Sequence, residues 1–104
     1  MKPIITSIFL GIALVGQTAI AEENGAGLYK SKTCVACHGA EGKKGLLPTY
    51  PKLNGQSKEY LVAQMKDIKS GARSNGQTAA MKGIMHLVSE DDMTSIATWL
   101  SSLQ

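Results

Sequence analysis

The spacing of apolar residues along the chain predicts three helices and no strand. The first helix covers about residues 24–33, the second begins at Ser57 and stops at Gly71, and the third begins at Ser89. No stretch alternates apolar and polar residues in the way that a half-buried strand does. The fold class is therefore expected to be all-α.

The second and third helices carry the clearest signals at their ends and along one face. Ser57 and Ser89 are good N-caps, and acidic residues follow each of them in the first turn, where the helix dipole favours negative charge. Each helix also repeats apolar residues at helical spacing, which places them on one face. These residues are Leu61, Met65 and Ile68 in the second helix, and Met93, Ile96, Ala97 and Leu100 in the third.

Two long loops separate the predicted helices, at residues 39–56 and 72–88. Structureless loops longer than about 12 to 15 residues are uncommon in a small domain unless they serve a function. We therefore expect these two loops to wrap around a bound group.

The first 21 residues have the pattern of an export signal. Lys2 precedes an uncharged run over residues 3–21, which ends in the small-x-small triplet AIA. We interpret residues 1–21 as a signal peptide, whose cleavage leaves a periplasmic domain of residues 22–104 that has no membrane segment. A retained membrane anchor is the alternative, because the uncharged run approaches the ~20 residues that span a bilayer.

Residues 22–104 contain few large apolar side chains from which to build a core. Val, Ile, Leu, Met, Trp and Tyr supply only 22 of these 83 residues. A domain with so few large apolar side chains usually needs a disulfide, a metal, a cofactor or a partner to be stable. Cys34 and Cys37 could close one disulfide, but its loop would be too short to constrain much of the unfolded chain. A bound prosthetic group is the better explanation.

The sequence CVACH at residues 34–38 places two cysteines three residues apart and a histidine directly after the second. This CxxCH order is the attachment motif of c-type haem. Two thiols about one helical turn apart can add to the two vinyl groups of a porphyrin, and His38 can then bind the iron as the proximal ligand. We therefore expect one covalently bound haem c, held by Cys34, Cys37 and His38.

Two other kinds of cysteine site fit the sequence less well. A thioredoxin-like redox motif needs a strand and a helix around the cysteines, and no strand pattern precedes Cys34. A structural zinc site needs four ligands, and the two cysteines, His38 and the distant His86 have an unusual layout for such a site.

The sixth iron ligand has five candidates, namely Met65, Met81, Met85, Met93 and His86. Met65 and Met93 lie on the apolar faces of predicted helices, where methionine usually fills the core. The other three lie in the loop over residues 72–88, which could reach the distal face of a haem without bending a helix. Methionine would give the high-potential ligand pair of electron carriers, and His86 a lower-potential pair of imidazoles. The residues alone leave Met81, Met85 and His86 open.

The chain resembles the class I cytochromes c, and within them the small bacterial periplasmic type whose domain also occurs in tandem in di-haem cytochromes. The resemblance rests on LYKSKTCVACHG at 28–39, YPKLNGQSKEYLVAQMKDIKSGAR at 50–73 and MKGIMHLVSEDDMTSIATWL at 81–100. It covers essentially all of residues 22–104. It implies the class I cytochrome c fold, in which three main helices and long loops surround one covalently bound haem.

The resemblance also implies roles for individual residues. In relatives of this type the axial methionine lies eight residues before the N-cap of the last helix, which is Met81 here, with Met85 as the second candidate. Pro51 matches the family's PxLxG segment, whose proline carbonyl accepts the second N–H of the proximal imidazole, and Pro48 is close enough to compete. Arg73 resembles a family arginine near a haem propionate. A solvated charge at a helix end is the alternative for Arg73.

The expected function is that of a one-electron carrier rather than an enzyme. If protein side chains fill both axial positions, no coordination site is open to oxygen or substrate. The alternative is a haem-based sensor or ligand-binding module in which Met81 is a labile ligand. The expected partners are donor and acceptor redox proteins, with no nucleic acid, and the protein is expected to be a monomer.

Basic residues are concentrated in the middle of the chain. Residues 30–82 hold ten basic and three acidic residues, net +7, whereas the remaining charges of residues 22–104 are all acidic. This distribution predicts that lysines such as Lys43, Lys44 and Lys52 steer an acidic redox partner. A basic surface that serves only solubility is the alternative.

Overall fold

The computed structural model describes residues 24–104, so the predicted signal peptide over residues 1–21 lies outside the described residues. Residues 24–104 contain helices but no strand, which confirms the predicted all-α fold class. None of these helices combines the length and the apolar character needed to cross a bilayer. The helices are α1 (Gly25–Ser31), α2 (Cys34–His38), α3 (Lys58–Ser70), α4 (Thr78–Met85) and α5 (Glu90–Ser101).

Both ends of α3 and the start of α5 lie where the sequence predicts them. Ser57 and Ser89 are the N-caps, and their hydroxyl oxygens accept hydrogen bonds from the backbone N–H groups of Tyr60 and Asp92. The Asp92 carboxylate in turn accepts from the N–H of Ser89, which completes a capping box. α3 ends at Gly71, whose left-handed conformation is open to glycine and unfavourable for other residues.

One of the two predicted loops is wrong. Residues 39–56 contain no helix, as predicted, but residues 78–85 of the second loop form α4. Met81 and Met85 therefore lie on a helix rather than in a loop that reaches over a haem. The N-cap of α4, Gln77, makes no side-chain capping hydrogen bond, so the usual sequence signal for a helix start is missing.

The core forms where α1 and α3 pack against α5, while α2 packs on α1 and α4 packs on α3. The buried apolar side chains come from four of the five helices and from the connection before α5. They are Leu28, Tyr29, Leu61, Ile68, Met85, Val88, Met93, Ile96, Ala97 and Leu100.

α1 and α5 approach each other closely at Gly25. A Cβ atom at this position would overlap the carbonyl oxygen of Ser95 and would lie 2.5 Å from the Cβ of Trp99. Tyr29, one turn further along α1, packs against Trp99 with the ring centroids 5.1 Å apart. Only glycine permits this crossing, which orients α1 and so places the α2 segment that follows it.

We expect Gly25→Ala to destabilise the protein by about 1–3 kcal/mol, because the added methyl group must push α1 away from α5. Gly83→Ala is the matched control, since a Cβ on this α4 glycine meets no atom within 4 Å. Alanine there should stabilise the helix by about 0.5–1 kcal/mol. Denaturant unfolding followed by circular dichroism measures both variants, and equal free energies of unfolding would contradict the close crossing.

Candidate haem site

The CVACH motif forms the short helix α2 directly after α1. α2 starts after Thr33, which has a φ of 66°, and ends at Gly39, which has a φ of 87°. The hydroxyl of the buried Tyr29 donates a 2.6 Å hydrogen bond to the carbonyl of Gly39. The carboxyl end of the motif is therefore tied to the core through α1.

A cavity of about 310 Å³ opens beside α2. Its wall includes the cysteines and histidine of the motif, together with residues from α3 and α4. Several of the buried core side chains line it as well, so the core is built around the cavity rather than beside it. These core residues are Tyr29, Leu61, Ile68, Met85, Val88, Ile96 and Leu100.

His38 is held in one orientation and one protonation state. Its side chain is buried, and Nδ1 lies 3.2 Å from the carbonyl oxygen of Pro51. A carbonyl only accepts hydrogen bonds, so Nδ1 carries the proton and Nε2 keeps its lone pair. Burial lowers the pKa of His38, and the hydrogen bond to Pro51 opposes that shift. The ring is therefore neutral at pH 7, in the form that binds a metal ion, while Pro48 makes no hydrogen bond to it.

The two cysteines differ in their surroundings. Cys34 is half-buried and Cys37 is exposed, and no disulfide joins them. Burial is the main reason that the pKa of the Cys34 thiol is raised to about 11. In residues 24–104 no three side chains of His, Cys, Asp or Glu are grouped so as to hold a metal ion by themselves.

The cavity separates the five candidates for the sixth ligand. Met65, Met81 and Met85 line it, whereas Met93 and His86 do not. Met93 is completely buried in the core, and His86 is exposed at the carboxyl end of α4. Met85 is itself a core residue at 3% exposure, whereas Met81 is only partly buried and packs against the core.

Arg73 lines the cavity shortly after the end of α3. Its Nη1 donates a 3.0 Å hydrogen bond to Oε1 of Gln64, which also lines the cavity. No carboxylate in the described part of the chain pairs with this guanidinium. Its charge therefore stays available to an acidic group inside the cavity. Gln64 is absent from the sequence prediction, because a lone glutamine on a helix carries no signal.

The residues around the cavity fit a haem. Two unpaired thiols, a neutral imidazole with a free Nε2, several methionines and an arginine without an acidic partner surround one space with largely apolar walls. An all-helical domain built in this way belongs to the class of c-type haem proteins.

Comparison with known proteins shows which family this chain belongs to. The chain belongs to the cytochrome c family, whose model, Cytochrome c, matches residues 22–104. It is 37% identical to cytochrome c4 of Pseudomonas aeruginosa over 102 residues, which are 98% of this chain and 49% of that protein. It is 43% identical to cytochrome c-554(548) of Halomonas halodenitrificans over 82 residues, which are 79% of this chain and 98% of that protein.

The fold is similar to that of reduced recombinant cytochrome c4 from Pseudomonas stutzeri. The TM-score is 0.62 at 34% sequence identity, over 79% of this chain and 46% of that chain. This similarity confirms the predicted class I cytochrome c fold. The chain spans about half the length of the cytochrome c4 proteins that it matches. Membership of the family implies a covalently bound c-type haem with iron and haem-based electron transfer, and residues 34–38 fit the attachment motif.

Proposed function

We propose that this protein is a periplasmic one-electron carrier, with haem attached at Cys34 and Cys37 and its iron bound by His38 and Met81. The observation that carries the proposal is that all four side chains line one cavity, although they come from two helices that do not contact each other. The bound haem would supply the ferric/ferrous couple.

The two axial ligands suit an electron carrier. The hydrogen bond from His38 to Pro51 fixes the imidazole ring and raises its basicity. The thioether of Met81 is a soft ligand that stabilises ferrous iron and raises the reduction potential. With both axial positions taken by side chains, substrates have no route to the metal, so we do not expect an enzyme.

Met81 fits the sixth position better than Met85. Met85 is buried in the core, so turning its side chain towards the iron would leave a void there. Met81 is partly buried on the cavity wall and can turn without emptying the core. It also lies eight residues before the N-cap Ser89, which is the spacing implied by the resemblance.

Arg73 is proposed to neutralise a haem propionate. The Oε1 of Gln64 occupies one N–H donor of the guanidinium and orients it at the cavity wall. The group has five donors in a fixed plane, so others are left to bind a carboxylate.

The loop over residues 39–56 is proposed to dock an acidic redox partner. Lys43, Lys44 and Lys52 are exposed on this loop, which also supplies part of the cavity wall. Lys43 already pairs with Glu41 at 3.2 Å, so Lys44 and Lys52 carry the charge that is free to attract a partner. Small, transient interfaces are typical of electron-transfer partners.

Electron transfer to an anionic oxidant should slow as ionic strength rises. Stopped-flow oxidation by hexacyanoferrate measures the rate, and the double variant Lys44→Glu with Lys52→Glu should lower it several-fold at low salt. The same two changes should speed oxidation by a cationic cobalt complex. The control is Lys30→Glu, which reverses the charge of one lysine on α1, outside the docking loop, and should lower the rate by less than either Lys44→Glu or Lys52→Glu alone. Rates that are independent of salt and of both lysines would contradict the docking proposal.

Voltammetry of the protein exported to the periplasm tests the proposed function itself. We expect a reversible wave with one electron per chain. A protein that shows no reversible wave, or one whose ferrous form consumes oxygen catalytically, would contradict a simple carrier.

A further inference from the structure

α4 carries Met81, yet it packs on fewer helices than α1, α3 or α5 does. Within residues 24–104 its only helix partner is α3, whereas α1, α3 and α5 pack together as the core. The N-cap residue of α4, Gln77, provides no side-chain capping bond. Contacts other than helix packing therefore help to decide where α4 lies at the cavity wall.

Lys69, in the last turn of α3, supplies such a contact beyond the carboxyl end of α4. Its Nζ donates a 2.6 Å hydrogen bond to the carbonyl oxygen of Val88 in partly buried surroundings. Val88 is 1% exposed, lines the cavity and lies between α4 and α5. A hydrogen bond from a charged donor is shorter and stronger than a neutral one, and shielding from water strengthens it further.

Backbone hydrogen bonds connect Val88 to the end of α4. The N–H groups of residues 86–88 donate to carbonyls of residues 82–85, so the connection continues directly from the last turn of the helix. No second donor reaches the Val88 carbonyl in the described chain, and Lys69 makes no ion pair there. Lys69 is therefore the one side chain of the described residues that donates to this carbonyl, and it ties the connection after α4 to α3.

We propose that Lys69 is a positioning residue that holds α4, and with it Met81, in place at the cavity. This inference rests on the proposed role of Met81 as the sixth ligand. Without the Lys69 hydrogen bond, the connection at residues 86–88 loses its tie to α3, and Met81 leaves its ligating position more often. The expected consequence is faster replacement of Met81 by an external ligand, in a protein that still folds.

The test follows the rate at which imidazole replaces Met81 in the oxidised holoprotein, by loss of the long-wavelength iron-to-sulfur charge-transfer band. Lys69→Met keeps an unbranched side chain and removes the donor, and we expect the opening-limited rate to rise roughly tenfold. Lys69→Arg keeps a donor and should restore most of the parental rate.

Lys66→Met is the matched control. It removes the same charge one turn earlier on α3, where Lys66 makes only an exposed 3.5 Å ion pair with Glu90. Such a surface pair contributes little, so the imidazole rate should equal that of the parent. If Lys69→Met is not recovered with haem, Lys69→Leu provides the same comparison, because its side chain also lacks the donor.

Equal imidazole rates in the Lys69 and Lys66 variants would overturn the inference. So would a Lys69→Met protein that unfolds at lower denaturant concentration but exchanges Met81 at the parental rate, because Lys69 would then be structural only. The parent protein separates the two proposals. A parent without the charge-transfer band refutes Met81 ligation and this role together, whereas a normal band with an unchanged rate in Lys69→Met refutes only the positioning role.

Discussion

Without its haem, this protein should be largely unfolded. The cavity of about 310 Å³ is lined by the same side chains that form the core, so an empty cavity removes one face of their packing. At about 24 cal/mol for each Å³ of residual cavity, the loss is on the order of 7 kcal/mol. That is comparable to the whole stability of a small domain, about 5 to 15 kcal/mol. The chain has too few large apolar residues for other burial to offset this loss of stability.

The haem-free protein is obtained by changing both Cys34 and Cys37 to serine and expressing the chain without export. Circular dichroism and the spread of amide proton shifts then measure its helix content and packing. We expect loss of most helical signal compared with the holoprotein at the same temperature. The control is the same double variant with haem added, which should regain helix through binding at His38. A compact, helical haem-free chain would contradict the prediction.

Replacing Met81 should have the largest effect on the redox chemistry. We expect Met81→Ala to abolish the iron-to-sulfur charge-transfer band of the oxidised protein. The reduction potential should fall by on the order of 0.1 V or more, because axial ligands set haem potentials over a range of about 0.8 V. The vacated position should also allow the ferrous protein to bind carbon monoxide. Absorption spectra and potentiometric titration measure all three changes.

Met85→Ala is the matched control, with the opposite pattern of effects. Met85 is buried at 3% exposure, so its loss should destabilise the protein by about 2–5 kcal/mol while the band and the potential stay near parental values. If Met85→Ala loses the band and Met81→Ala keeps it, the ligand assignment is wrong. If the parent binds carbon monoxide as readily as Met81→Ala does, the sensor alternative replaces the electron carrier.

The sequence predicts those helix ends that are determined by residues next to them in the chain. α3 and α5 begin at serine caps followed by acidic residues, and α3 ends at a glycine. Each of these signals acts within one turn of the helix end, so it can be read from neighbouring residues. The attachment motif at residues 34–38 is local in the same sense.

α4 escapes prediction because its sequence signals are weak. It has no side-chain cap and contains Gly83, which is a poor helix former. Packing on α3 and the Lys69 hydrogen bond to Val88, 19 residues away, accompany it in the folded protein. The apolar residues Met81, Ile84 and Met85 do lie at helical spacing, but over so short a segment, with no cap at its start, this periodicity does not distinguish a helix from a loop.

Some residues of the candidate site can likewise be predicted from local sequence, and others cannot. Cys34, Cys37 and His38 can be predicted from spacing alone, whereas the roles of Pro51 and Arg73 come from the family resemblance. The structure adds what spacing leaves open, since it places His86 outside the cavity and Gln64 beside Arg73. Both facts depend on how helices and loops meet in three dimensions.

We propose that one haem, covalently attached to this chain and bound by two of its side chains, carries a single electron between redox partners. The most direct test is the absorption spectrum of the exported, purified protein, recorded oxidised and reduced and again after extraction with acidified organic solvent. We predict that the haem stays on the polypeptide, that reduction takes one electron per chain, and that the oxidised form shows the iron-to-sulfur charge-transfer band. A colourless protein, or haem that leaves with the solvent, would contradict the account.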